Sequence, residues 1–254
     1  MLRSYLIGLG FTNEEIDKII NTNPLDHYAE VTLQKKIENI YEFLLNNGYS
    51  KEDFMKLARR SPQTFSYNVS ALEQKINDIV TLGYTRSEVI SMTKKLSKLF
   101  TYSIENMKKK IDYMVSLGYK RQEVIDFGKM IPVIYGFSIE NIRERFNYMK
   151  GLGFAEKDII KITKQFPYFY CLSINNIEKR INGLVEAYNY SYNDVLKMIR
   201  LNANIISGTV SRFDKILNQI VSLGFDRFVV LTDAEGPGTL SFIYNEKLDC
   251  IYSR

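Results

Sequence analysis

The stretches Leu82–Ile90, LGYTRSEVI, and Leu117–Ile125, LGYKRQEVI, are almost the same sequence, and they lie 35 positions apart. A glycine followed by an aromatic residue returns along the whole chain at this spacing, with a first step of 38 residues and later steps of 35 or 36. The pairs are Gly10-Phe11, Gly48-Tyr49, Gly83-Tyr84, Gly118-Tyr119, Gly153-Phe154 and Gly224-Phe225, with Asn189-Tyr190 in place of the sixth. Self-similarity at a fixed period is typical of repeat proteins, so we predict about six repeats of about 35 residues.

Each repeat is predicted to contain two main helices. Two residues after the glycine stands a capping residue with an acid three positions later, which is the capping-box pattern that begins a helix. These pairs are Thr12/Glu15, Ser50/Asp53, Thr85/Glu88 and Ser191/Asp194, whereas Lys120 and Ala155 replace the cap in the other repeats. Fourteen residues after the glycine stands Pro24, Pro62, Pro132 or Pro167. Proline cannot continue a helix, so it ends the first helix and can begin a short turn.

The second helix is predicted from another capping residue, twenty positions after the glycine: Asn68, Ser103, Ser138, Ser173 or Thr209. Apolar residues then follow at i, i+4 and i+7, the stripe of an amphipathic helix, and the next glycine supplies a left-handed cap. Because stacked repeats bury these stripes together, the fold class is predicted to be all-α, an α-solenoid over residues 1–225. We expect a longer connection around His27–Leu33, and a cap or small hairpin over residues 226–254.

The amino-acid composition limits the classes of function that this chain can have. The 254 residues include 34 basic and 29 acidic residues, a net charge of +5 that does not by itself prove nucleic-acid binding. One histidine, His27, and two distant cysteines, Cys171 and Cys250, argue against a metal site, a catalytic centre and a disulfide scaffold. No cofactor is predicted. No apolar stretch approaches the roughly 20 residues of a membrane span, and no targeting segment is visible. We therefore expect a cytoplasmic protein without a membrane partner, or an organellar one if a leader has been removed.

Basic residues recur in two columns of the repeat. Eleven positions after the glycine stand Arg59, Lys94, Lys129, Lys164 and Arg200, and twenty-seven positions after it stand Lys75, Lys110, Arg145 and Arg180. In a solenoid a column becomes a track, which suits a regularly spaced phosphate backbone. The alternative is helix support, since cations stabilise the last turn of a helix and long basic stems cover apolar surface. Both interpretations stay open at this stage.

Two further features have competing interpretations. The aromatic column Phe65, Phe100, Tyr135 and Tyr170 could stack on bases, but packing between repeats is favoured. The densest basic cluster is Lys94-Lys95, Lys98 and Lys108–Lys110, which is either a strong contact or a solvated face.

The order of these motifs resembles the mitochondrial transcription termination factor (mTERF) family. The clearest instance runs from Ile131-Pro132-Val133-Ile134-Tyr135 through Ser138 and Arg145 to Leu152-Gly153-Phe154 and Asp158-Ile159. The resemblance covers residues 8–225. It implies a superhelix of three-helix units, the middle helix short, that binds nucleic acid through a positively charged concave groove.

We therefore predict a non-enzymatic, monomeric protein that contacts the phosphate backbone of double-stranded DNA, or of RNA, with the nine residues of the two basic columns. A role in transcription regulation or termination fits the resemblance. The alternative is a protein-interaction scaffold that holds a helix or an acidic peptide. A weaker third possibility is an accessory fragment of a processing nuclease, for which no catalytic residues are visible.

Overall fold

The structure, a computed structural model, describes residues 1–23, 29–188 and 190–207, together with Lys215 and Asn218. The chain is an all-α helical-repeat protein of the α-solenoid class, and every regular element of the described residues is a helix. None of these helices combines the length and the apolar character needed to cross a membrane. The predictions for Pro24, Thr209, the second helix of the sixth repeat and the tail at 226–254 lie outside the described residues.

The α-helices of the described part are α1 Leu2–Leu9, α2 Asn13–Thr22, α3 Ala29–Asn46, α4 Lys51–Arg60, α5 Val69–Val80, α6 Arg86–Lys95, α7 Ile104–Ser116, α8 Arg121–Met130, α9 Ile139–Gly151, α10 Glu156–Gln165, α11 Ile174–Tyr188 and α12 Tyr192–Leu201. The even-numbered helices are the first helices of repeats one to six. The odd-numbered helices α3, α5, α7, α9 and α11 are the second helices of repeats one to five. Between them lie short 3-10 helices: Pro62–Ser66, Ser97–Thr101, Pro132–Gly136, Pro167–Cys171 and Ala203–Ser207.

The predicted helix starts and ends are confirmed where the structure describes them. The Glu15 amide donates to Thr12 Oγ1 at 3.3 Å while Glu15 Oε2 accepts from the Thr12 amide at 3.0 Å, a complete capping box. The glycines that end the preceding helices have φ between 85° and 116°, the left-handed region that glycine adopts without strain. The 3-10 helices at Ser97 and Ala203 form without proline. The longer connection predicted around His27–Leu33 is wrong from Ala29 onward, because α3 begins there.

The chain divides into two compact units. The first contains residues 1–116 and 120–137, and the second contains residues 117–119 and the described residues from 138 onward. Within each unit the second helices bury their apolar stripe, for example Leu72, Ile76 and Ile79 in α5. Burying such a side chain contributes about 1.5–3 kcal/mol relative to exposing it, so each stripe stabilises the packing of neighbouring repeats.

A set of three side chains lies at the interior of each repeat boundary, and we call it the boundary triplet. It consists of the aromatic residue after the glycine of one repeat, and the residues ten and seventeen positions after the glycine of the next. The triplets are Phe11/Ala58/Phe65, Tyr49/Thr93/Phe100, Tyr84/Gly128/Tyr135, Tyr119/Thr163/Tyr170 and Phe154/Ile199/Ile206, and every member is buried. The aromatic column is thus packing, as favoured, and its rings offer no face to a base.

Tyrosine occurs in the first position of a triplet only where the next repeat offers room or a hydroxyl. The Tyr49 hydroxyl lies 2.6 Å from Thr93 Oγ1, to which it donates. The Tyr84 and Tyr135 hydroxyls are hydrogen-bonded to each other next to Gly128. A Cβ added to Gly128 would lie 2.0 Å from the Tyr84 oxygen. Unpaired buried hydroxyls are costly, so the choice between tyrosine and phenylalanine follows the partner in the next repeat.

Candidate nucleic-acid interface

The first column of cations lies at the end of the first helix of each repeat, where the cation meets a carboxylate of the preceding repeat. The pairs are Arg59–Glu15 at 2.7 Å, Lys94–Asp53 at 3.3 Å, Lys129–Glu88 at 3.0 Å and Arg200–Asp158 at 3.2 Å. We call these four basic residues the ion-paired cations. Each carboxylate belongs to the first turn of its own helix, so the acidic column of the repeat lies against the basic column of the next repeat. Lys164 occupies the equivalent position at the end of α10 and also takes part in an interaction.

Three ion-paired cations also lie over the ring that follows the glycine of the preceding repeat. The distances to the ring centroids are 5.9 Å for Arg59 over Phe11, 5.3 Å for Lys94 over Tyr49 and 5.2 Å for Arg200 over Phe154. Cation–π contacts at partly exposed sites contribute about 0.5–1 kcal/mol. The side chains of the ion-paired cations remain 30% to 42% exposed, so they both join repeats and reach solvent.

Capping and ion pairing lower the pKa of the Glu15, Asp53 and Glu88 carboxyl groups. The bond from Arg59 is the largest cause for Glu15, and the Thr12 amide adds to it. For Asp53 the amide of the capping serine is the largest favourable cause, and Lys94 lowers the pKa further. These carboxylates therefore stay charged at neutral pH, and they neutralise the cations beside them.

The second column of cations has a different partner. Its members donate to a backbone carbonyl at the end of the 3-10 helix of the next repeat. Lys75 Nζ donates to Tyr102 O at 2.6 Å, Lys110 donates to Tyr135 O, Arg145 Nε donates to Leu172 O at 2.7 Å and Arg180 donates to Ile206 O at 2.5 Å. We call these four residues the carbonyl-anchored cations. All four side chains are partly buried.

Lys75, Lys110 and Arg180 form no ion pair with a carboxylate among the described residues. Among the described residues, no carboxylate oxygen lies within 4.0 Å of the amine of Lys75 or Lys110, or of the guanidinium of Arg180. Burial lowers the pKa of the Lys75 and Lys110 amines, because a charged amine loses part of its hydration there. A neutral carbonyl satisfies one donor and leaves the charge of the cation in place.

The basic cluster separates into bonded and solvent-facing lysines. Lys94 and Lys110 belong to the two columns, and Lys95 Nζ donates to Lys129 O at 2.7 Å. Lys98, Lys108 and Lys109 are exposed on the 3-10 helix and on α7. Part of this cluster is thus a solvated face.

No group of three His, Cys, Asp or Glu side chains among the residues that the structure describes could hold a metal ion. Cys171 is half-buried, and burial raises the pKa of its thiol. A thiol that is harder to ionise is a poorer nucleophile.

Regular helical units with cations at recurring positions of their boundaries define a helical-repeat protein. Residues 3–141 and 128–233 match the family described as mTERF. The chain belongs to the mTERF family, as its motifs predict. No curated protein matches the chain. The family consists of helical-repeat proteins that bind nucleic acid and are generally non-enzymatic.

The sequence contains a signal for the ion pairs that the column analysis missed. Each carboxylate precedes its cation by about one repeat plus six positions, as in Asp53 and Lys94 or Glu88 and Lys129. Opposite charges at a constant separation in consecutive repeats indicate contact across the boundary. The carbonyl partners of the second column leave no such signal, because every residue carries a backbone carbonyl.

Proposed function

We propose that this chain is a non-enzymatic protein that binds nucleic acid along the phosphate backbone, with double-stranded DNA as the favoured ligand. The candidates for these contacts are the basic side chains of the two columns. Family membership supports nucleic acid as the ligand class. Phosphate contacts set position and affinity rather than sequence, so any sequence preference would arise from DNA shape or from a few additional side chains.

One observation carries this proposal. In each unit, cations recur at fixed positions of the repeat, and the neighbouring repeat holds them in place while part of each side chain stays exposed. A cation that is already ordered loses little conformational entropy when it meets a phosphate. Regular placement in consecutive repeats suits a ligand whose charges are themselves regularly spaced.

The test is a salt titration of binding by the full chain to duplex DNA, single-stranded DNA and RNA of equal length. Neutralising about six phosphates on duplex DNA gives a slope of log K against log salt near −5, since each contributes about −0.9. Tight binding with a steep negative slope supports the proposal. Salt-insensitive binding, or no binding to all three nucleic acids, overturns it.

A second candidate function, a scaffold for an acidic peptide or helix, is favoured by apolar side chains beside the cations. Met130 is 43% exposed at the end of α8, and Val133 is 36% exposed on the next 3-10 helix. A poly-glutamate peptide that carries the charge of the DNA probe distinguishes the two functions. Displacement of the DNA at equal charge concentration favours the scaffold, and failure to displace it favours nucleic acid.

A further inference from the structure

The two columns of cations differ in what opposes their charge. An ion-paired cation lies beside a carboxylate. Lys94 lies 3.3 Å from Asp53, so the pair has no net charge, although Lys94 also donates to Gly48 O at 2.6 Å. A carbonyl-anchored cation lies beside a neutral oxygen, as Lys75 lies 2.6 Å from Tyr102 O. The four ion-paired cations and the four carbonyl-anchored cations therefore do not present equal positive charge to a ligand.

This difference affects the cost of meeting a phosphate. A phosphate that approaches Lys94 must compete with Asp53, and the released carboxylate would then repel the phosphate. A phosphate that approaches Lys75 displaces no anion. The Lys75 ammonium has three donors, of which Tyr102 O occupies one.

Partial burial adds to the effect. The Lys75 and Lys110 amines have lost part of their hydration, which lowers their pKa values, and Asp78 offsets only part of this effect at Lys75. An anion beside them offsets that loss, whereas the ion-paired cations already have such an anion. Anchoring on the next repeat also fixes the stems of these lysines before any ligand arrives.

We propose that Lys75, Lys110 and Arg180 make phosphate contacts, and that the ion-paired cations hold neighbouring repeats together. This division of labour rests on the proposed nucleic-acid function. If each of these three cations neutralises one phosphate on duplex DNA, they give a salt slope of about −2.7. All nine residues of the two columns would give about −8.

Matched variants of the full chain test this proposal, because two residues of each column lie in the same unit. Lys75→Gln with Lys110→Gln and Lys94→Gln with Lys129→Gln lower the net charge equally. Lys108→Gln with Lys109→Gln makes the same change at exposed lysines of α7. The measurement is the salt slope of duplex DNA binding for wild type and the three variants, at a temperature where circular dichroism shows all four folded.

The expected result is a slope that falls in magnitude by about 1.8 in the Lys75/Lys110 variant and stays unchanged in the other two. An equal or larger fall in the Lys94/Lys129 variant or in the Lys108/Lys109 variant overturns the division of labour and leaves the proposed function intact. Wild-type protein without salt-dependent binding overturns both.

A charge-preserving variant covers the case in which the Lys75/Lys110 variant fails to fold. Lys75→Arg with Lys110→Arg keeps the charge and the donor, and arginine already occupies this position in Arg145 and Arg180. Its slope is expected to match wild type, while the single variants Lys75→Gln and Lys110→Gln each lose about 0.9. Single variants with a wild-type slope overturn the proposal.

Discussion

We compare the boundary between repeats one and two with the boundary between repeats three and four. They have the same kind of ion pair at their partly exposed edge, which we call the rim, and different boundary triplets in their interiors. Both rims contain an ion pair, Arg59–Glu15 in one and Lys129–Glu88 in the other. The first interior is Phe11/Ala58/Phe65, without a side-chain hydroxyl, whereas the second is Tyr84/Gly128/Tyr135, in which two hydroxyls bond each other. The buried residues thus change as a matched set while the charged contact stays constant, so interior packing and rim charge are separate requirements.

The largest expected effect breaks the interior of the second boundary. Gly128→Ala places a Cβ 2.0 Å from the Tyr84 oxygen and 2.7 Å from the Tyr135 oxygen, so that two buried tyrosine side chains must shift. Overpacking of this kind costs about 1–3 kcal/mol, occasionally more, and it outweighs the gain in helix propensity. We expect a loss of about 2 kcal/mol in the free energy of unfolding, measured by urea denaturation.

Gly8→Ala is the matched control, because Gly8 is also helical and nothing lies within 4 Å of its added Cβ. It is expected to raise stability by up to about 1 kcal/mol. Equal changes in the free energy of unfolding for the two variants would show that contact with the tyrosine hydroxyls is not the reason for glycine at position 128.

An intermediate effect is expected from converting one interior into the other. Tyr49→Phe with Thr93→Ala turns the triplet Tyr49/Thr93/Phe100 into the composition of the first boundary. Thr93→Ala leaves the buried Tyr49 hydroxyl without its acceptor, which costs about 1–3 kcal/mol. Tyr49→Phe costs less, because the Thr93 hydroxyl still donates to Ile90 O at 2.9 Å. The double variant should lose less than the sum of the single variants, by about 1 kcal/mol in a double-mutant cycle. Strict additivity would contradict the matched set.

The smallest effect is expected at the rim. A double-mutant cycle on Lys94→Gln and Asp53→Asn should give a coupling of about 0.2–1 kcal/mol that decreases as salt is added, because the pair is partly exposed. Asparagine can still accept the bond from the Ser50 amide, so the helix cap is kept. A coupling above about 2 kcal/mol, or one insensitive to salt, would mean that the rim contributes as much as the interior.

Local chemistry allowed much of the fold to be predicted from the sequence. A capping acid three residues after Thr12 or Ser50, and a glycine that must adopt positive φ, act within one helix turn, so their spacing is visible in the chain. The boundary triplets were harder to predict, since Tyr84 meets Tyr135 across 51 positions. In the sequence they appear only when three columns of the repeat are compared, because tyrosine in the first column goes with threonine or glycine in the second.

The candidate site was predicted in position but not in chemistry. The residues of both basic columns lie at the repeat boundaries, yet the sequence did not indicate that Lys129 meets a carboxylate while Lys110 meets a carbonyl. These partners come from another repeat, and one of them is backbone.

Lysine reactivity, measured by amine acylation and mass spectrometry with and without duplex DNA, tests the central claim most directly. The Lys75 and Lys110 side chains are partly exposed, so the reagent can reach them in the free protein. The account predicts that DNA protects Lys75 and Lys110 while the reactivity of Lys94 and Lys129 stays the same. Protection of Lys94 and Lys129 with none at Lys75 and Lys110 would contradict it.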